Sequence, residues 1–212
     1  VKRPGIILIC LLLQACSGPI KGLGNSLWNS VFGTPGVQLT DEDIRNMPYA
    51  SQYMRLNNGP QLFVVLAFAE NGQQKWVTQD QAVIVTQNYR IVKTHLGTDN
   101  LLDVTNLAAD PLAKPNQIID GTRWTRMMGW TEYKQVRYAT ARSVFHWNGT
   151  DTVQLGSDET RVRVLDEEVT TDQKSWRNRY WVDEDGVIRQ SEQYLGADWF
   201  PVKTTLIKAG KQ

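Results

Sequence analysis

Leu62-Phe63-Val64-Val65-Leu66-Ala67-Phe68-Ala69 is apolar at every position and ends at Glu70-Asn71-Gly72. The run has strand length and aromatic and β-branched side chains, and Asn-Gly is the dipeptide that a two-residue hairpin turn favours. Short β-branched runs follow over 75–78, 82–86 and 90–94, with Asn88-Tyr89 as a turn between the last two. Residues 101–117 contain Pro111 and Pro115 and read as a loop or a broken helix. Strand signals then return. Residues 136–147 suit one long strand ending at a hairpin dipeptide, Asn148-Gly149, and a change of apolar parity near Ser143 suggests a bulge within it. Residues 161–169 alternate weakly, and Trp176, Asn178, Tyr180 and Val182 alternate with Arg177, Arg179, Trp181 and Asp183. Asp185-Gly186 turns into 187–195, and 202–208 closes the chain. Many short strands joined by hairpin turns predict a mainly β fold: an antiparallel meander that can curl into a half-open barrel, with a few short helices near the N-terminus. Thr40-Asp41-Glu42-Asp43 opens one such helix, Thr40 capping it and the acids favouring its positive end, and Pro48 limits it.

Upstream of that domain, Lys2 and Arg3 form a basic tip, 6–13 is an unbroken apolar run, and Leu13-Gln14-Ala15-Cys16 closes it. This is the layout of a secretory signal, and the run is far shorter than the about 20 residues a spanning helix requires. Cys16 directly after the small Ala15 makes a lipobox. Diacylglycerol would join the Cys16 thiol, cleavage would follow Ala15, and the new amino terminus would be acylated; Gln14 departs from the residues more usual at its position. The expected organisation is a signal peptide over 1–15, the lipidated Cys16 with a Gly- and Pro-rich tether over 16–38, and one β-rich domain over 39–212. One acyl chain anchors only marginally, whereas the three of a bacterial lipoprotein hold permanently. Ser17 stands where an inner-membrane retention signal would have Asp, so the expected location is the periplasmic face of the outer membrane.

Removing Lys2 and Arg3 with the signal takes the formal charge from +1 to −1, which leaves no global field for nucleic acid. Cys10 leaves with the signal and Cys16 carries lipid, so the expected mature chain has no thiol for a disulfide, a metal or a nucleophile. No metal-protease motif, nucleophile elbow, phosphate loop or dinucleotide fingerprint is present, and His95 and His146 have no obvious partners. Asp166-Glu167-Glu168 and Asp183-Glu184-Asp185 read as solvated turns, not as the paired carboxylates of glycoside cleavage. The arginines between Arg123 and Arg189 share their span with as dense a set of acids, so solvated strand faces are expected of them. No catalytic residue, cofactor or metal is therefore expected. The eight tryptophans are the less ordinary feature, because indole faces pack against the apolar faces of sugars. Trp130, Trp147, Trp181 and Trp199 each lie near a turn, a Gly or a Pro, and are the candidates for contact with glycan or a partner; Trp124 and Trp176 read as core.

Phe32-Gly33-Thr34-Pro35-Gly36-Val37-Gln38-Leu39-Thr40, Pro48-Tyr49-Ala50-Ser51 and Phe200-Pro201-Val202-Lys203-Thr204-Thr205-Leu206-Ile207-Lys208, together with the lipobox, resemble the YjbF/GfcB family, its YjbF branch above all. The resemblance runs the length of the chain. It implies an outer-membrane lipoprotein of exopolysaccharide and group-four capsule operons, a mainly β meander, and polysaccharide-secretion proteins of the same operon as partners. Only Cys16 carries over as a functional position. Three readings follow: a non-enzymatic accessory of exopolysaccharide production or export, a lipid-binding carrier or assembly factor with a half-open β-barrel, and, third, a polysaccharide-modifying hydrolase.

Overall fold

The structure is a computed structural model that describes residues 36–78, 82–97, 99–196 and 198–210; the signal, Cys16 and most of the tether lie outside the described residues. One short helix, α1 (Asp41–Arg45), opens the domain. Thr40 Oγ1 accepts from the Asp43 amide at 3.2 Å while the Asp43 carboxylate accepts from the Thr40 amide at 3.1 Å, a reciprocal cap.

Twelve strands follow: β1 (Ser51–Leu56), β2 (Gln61–Glu70), β3 (Gln73–Val77), β4 (Val83–Gln87), β5 (Arg90–His95), β6 (Leu101–Val104), β7 (Thr122–Glu132), β8 (Gln135–Leu155), β9 (Asp158–Thr170), β10 (Ser175–Val182), β11 (Ile188–Tyr194) and β12 (Pro201–Lys208). They form one antiparallel sheet in which each strand pairs with its chain neighbours, except that β1 also pairs with β12 and β5 and β6 share no ladder. That order bends into a nearly closed barrel. The seam between β5 and β6 is closed by side chains: the Leu101 amide donates to Thr94 Oγ1 at 2.9 Å and the Leu96 amide to Asn100 Oδ1 at 2.6 Å.

Burial explains why 62–69 is apolar on both parities. Val64 points into the barrel core, whereas Phe63 and Val65 face outward under Val37, Leu39 and Met47 of the N-terminal segment. Tyr53, on the same outer face of β1, accepts a hydrogen bond from the Leu39 amide at 2.7 Å. Over 63–65 the strand is covered on both sides and so shows no alternation, whereas Phe68 further along is 66 % exposed and apolar without cover.

Asn71-Gly72 and Asn88-Tyr89 are hairpin turns with both φ angles positive, as their sequences predict. Asn148-Gly149 is not. Trp147 pairs with Leu165 and Thr150 with Arg163, so two residues of β8 oppose one of β9 and the dipeptide is a bulge in a continuous strand. The ladder is regular through Ser143, where a bulge was expected; parity changes there because Val136 and Tyr138 are exposed on the outer face while Ala141, Ser143 and Phe145 point in. Beyond the bulge, Val153 and Val162 pack with Val164 and Trp181, and the Ser157 amide at the hairpin tip donates to Asp41 of α1 at 2.8 Å. Residues 101–117 also divide differently from expectation. The first four form β6, and three 3₁₀ turns follow, two of them with proline at the start. Leu112, Pro115 and Ile118 are buried there and plug one end of the barrel.

The acidic run 166–168 is a further correction, since it lies within β9 and not in a solvated turn. Strand alternation sends Glu167 into the barrel with no exposed surface, where it accepts from Arg90 Nη1 and Asn178 Nδ2 at 2.9 Å, from Tyr180 at 3.1 Å and from Ser143 at 2.5 Å. Arg126 stands 3.2 Å from it, and Arg90 also grips Asp110 through two bonds of 2.6 and 3.1 Å. Both arginines are 3 % exposed, and each guanidinium carbon lies 4.4 Å from the centre of the Trp124 ring. Neither is on a solvated strand face.

Burial would raise the Glu167 carboxyl, but Arg90 and Arg126 more than reverse this and hold it at about 2, against an ordinary value of 4.5. Burial lowers Arg126 to about 10 in spite of Glu167, so both remain charged at neutral pH. A depressed carboxyl stabilises the fold in full above its unfolded-state value and loses that contribution as pH falls through its folded value. Stability should therefore drop by about 1.4 kcal/mol per pH unit between the two. Urea unfolding across that acid range checks this: the drop is expected to be shallower in Glu167→Gln than in the native protein, the remainder coming from Asp41, Asp120, Asp151 and Asp166, which are also held below the ordinary carboxylate value. At neutral pH Glu167→Gln should cost about 3–5 kcal/mol, because it leaves a buried cation uncompensated.

Candidate functional site: an aromatic mouth

The barrel has a plugged end, where the 3₁₀ turns lie, and an opposite end where the β7–β8, β9–β10 and β11–β12 connections meet. Among those connections is a cavity of about 600 Å³. Its floor is Met128 and Leu195, both buried in the core, and its walls carry three indoles: Trp130 of β7, Trp176 of β10 and Trp199 after β11. Each indole is only partly buried and packs with its inner edge on the core. Inward alternation places Trp130 beyond Trp124, Arg126 and Met128, and Trp176 before Asn178 and Tyr180. Trp199 is set by its connection. Its amide donates to Gly196 O at 3.2 Å, and a Cβ added at Gly196 would stand 3.3 Å from the indole, so glycine lets the ring lie flat against the turn. The Trp176 Nε1–H is buried and has no acceptor among the described residues.

Charged groups ring the opening in pairs. Glu132 lies 3.7 Å from Arg137, Asp172 bonds Arg142 at 3.1 Å, and Asp198 pairs with Lys174. These pairs are solvent-exposed and contribute little stability. They leave the rim electrically balanced, and their carboxylates lack the dry surroundings that make a general acid. Asp166 and Glu167 cannot act together, since Glu167 faces the barrel interior and Asp166 is held on the outer face by Arg179 at 2.6 and 2.9 Å.

The structure separates the four tryptophans named from sequence. Trp130 and Trp199 share the mouth. Trp147 is elsewhere, capped by the Arg163 guanidinium at 3.6 Å and donating to Ile118 O at 2.9 Å. Trp181 faces outward beneath the β8–β9 hairpin, 9 % exposed, and donates to Asp151 at 2.9 Å. Trp176, assigned to the core from sequence, is the third wall of the mouth; the signal that places it there is its parity with Asn178 and Tyr180 one turn from 171–174. His146 bonds Asp120 on the surface at 3.2 Å, and no cluster of potential metal ligands occurs among the described residues.

Comparison with known proteins fits this architecture. A protein of Escherichia coli K12 named uncharacterized lipoprotein YjbF is 78 % identical over 212 residues, covering 100 % of both chains. Another from the same strain, uncharacterized lipoprotein GfcB, is 40 % identical over 210 residues, covering 97 % of this chain and 98 % of its own. The crystal structure of the hypothetical lipoprotein YmcC from Escherichia coli K12 superposes with a TM-score of 0.79 at 39 % identity, covering 92 % of this chain and 100 % of that one. The pattern of the family described as "Group 4 capsule polysaccharide lipoprotein gfcB, YjbF" matches residues 24–207, and the chain belongs to that family.

Proposed function

We propose that this lipoprotein is a non-enzymatic accessory of exopolysaccharide production or export, held by lipid on Cys16 at the periplasmic face of the outer membrane, and that it works by binding glycan at the aromatic mouth beside polysaccharide-secretion proteins of the same operon. The observation that carries this reading is the convergence of Trp130, Trp176 and Trp199 on one open cavity whose rim charges cancel. Indole faces match the apolar faces of pyranose rings, and a cavity of this size suits one or two sugar units of a longer chain. The buried Trp176 Nε1–H, without an acceptor among the described residues, can donate to a ligand oxygen. Lipid carriage is the less favoured reading, because the barrel behind the floor of the mouth is filled by Trp124, Phe145 and the Arg90–Glu167 network.

Trp199→Ala and Trp130→Ala should each weaken binding of partially hydrolysed capsular polysaccharide by about tenfold or more with small changes in stability, whereas Trp181→Ala, on the far face, should lose about 3–5 kcal/mol of stability and leave binding per folded molecule unchanged. Titration followed by tryptophan fluorescence, with thermal unfolding of the same variants, checks both. If only unfolded variants lose binding, the mouth is not the site. For the anchor, Cys16→Ser should abolish incorporation of labelled palmitate and release the protein from outer-membrane fractions.

A further inference from the structure

The plugged end of the barrel holds a second chamber, of about 440 Å³, beside the Asn71-Gly72 and Asn88-Tyr89 turns and the last described residues, Ala209 and Gly210. Its wall is unlike that of the mouth. Side-chain amides of Gln52, Gln74 and Asn88 and hydroxyls of Thr86 and Thr204 line it, flanked by the rings of Trp76 and Tyr89. Glu70 is the one charged lining residue among those described; its side chain is 65 % exposed, and it pairs with Lys75 at 3.5 Å.

Gln52 is the telling residue. It is 7 % exposed, it lines the chamber, and its Nε2 is buried with no acceptor among the described residues. Neighbouring polar groups are already committed: Trp76 Nε1 donates to Thr86 Oγ1 at 2.9 Å, and Thr204 and Ser191 share a hydrogen bond of 2.8 Å. A buried amide without an acceptor is costly, and few are tolerated in folded proteins. An acceptor brought by a ligand would relieve that cost.

We propose that this chamber binds one uncharged saccharide unit, with Gln52 Nε2 donating to a ring hydroxyl and Trp76 and Tyr89 flanking the sugar's apolar face. Amides and hydroxyls can both give and accept hydrogen bonds, as sugar hydroxyls do, and aromatic flanks suit a pyranose. Among the described residues, a phosphate, a uronate or a peptide terminus would find no free counter-charge in the lining. The proposal uses none of the residues of the aromatic mouth and stands without that reading.

The test uses the full chain in detergent and a panel of neutral methyl glycosides, with methyl glucuronoside and a neutral dipeptide as comparisons. In the native protein, at least one neutral glycoside should shift the Gln52 side-chain amide resonance, while the glucuronoside and the dipeptide do not. Gln52→Leu removes the unpartnered amide, so it should keep or raise the melting temperature yet weaken that glycoside by about tenfold, the factor that a hydrogen bond of about 1.4 kcal/mol represents. Trp199→Ala should leave it unaffected, which separates this chamber from the mouth. Absence of any shift with every neutral glycoside, a shift with the dipeptide alone, or unchanged affinity in Gln52→Leu would each overturn the proposal. The resonance shift is read in the native protein and so stands even if the variant misfolds.

Discussion

Glu167 is a carboxylate with no exposed surface, and the barrel interior is arranged around keeping it ionised. Its partners come from across the sheet: Arg90 from β5, Arg126 from β7, Ser143 from β8, and Asn178 and Tyr180 from β10. β5 is one edge of the sheet and β9 lies well inside its other half, so the Arg90–Glu167 bond crosses the lumen instead of running along a ladder. Asp110 ties the plug to the same arginine. A buried charge is tolerated only when its hydrogen-bonding capacity is met, and one position of the wall and plug meets it here. The network therefore fixes how far the sheet curls, and it fills the space that a ligand tunnel would need.

These two facts bear on what the molecule can do. With the middle of the barrel occupied, binding is confined to its ends, and the ends differ in chemistry. One offers indole faces inside a balanced ring of ion pairs, the other a recess of amides and hydroxyls. Among the described residues, neither holds two buried carboxylates facing one another across a gap, the pair that most glycosidases use. The exposed Met127, Val136 and Tyr138 on β7 and β8, with Tyr138 lying over Gly129, leave an apolar strip on the outer wall near the mouth.

Much of the fold was legible in the sequence because hairpin turns are local. Asn71-Gly72, Asn88 and Gly186 declare themselves through residues that tolerate positive φ. The same logic fails at Asn148-Gly149, where an identical dipeptide serves a bulge, and at Tyr133-Lys134, where φ angles of 49° and 63° are adopted by residues with no turn preference. In those places the length of the ladder on either side decides, and that is a property of the whole sheet. The interior network was hidden for a related reason. Arg90, Asp110, Arg126 and Glu167 are charged residues on strands and a loop, and sequence alone treats each as solvated until its partners are known. Three tryptophans at one opening are likewise a consequence of strand parity and closure; only Trp130 and Trp199 carried a local hint, through the turns beside them.

The pairing of β1 with β12 places the first described strand against the last, more than 140 residues downstream, with Tyr53 opposite Thr205 and Met54 opposite Thr204. Neither side of the sheet can be joined to the other until the C-terminus is available. A chain with this topology has a high contact order and a late, all-at-once closure, which slows folding. Any chain that crosses a membrane unfolded gains from such a delay, because whatever part of it emerges first lacks the strand that would lock it.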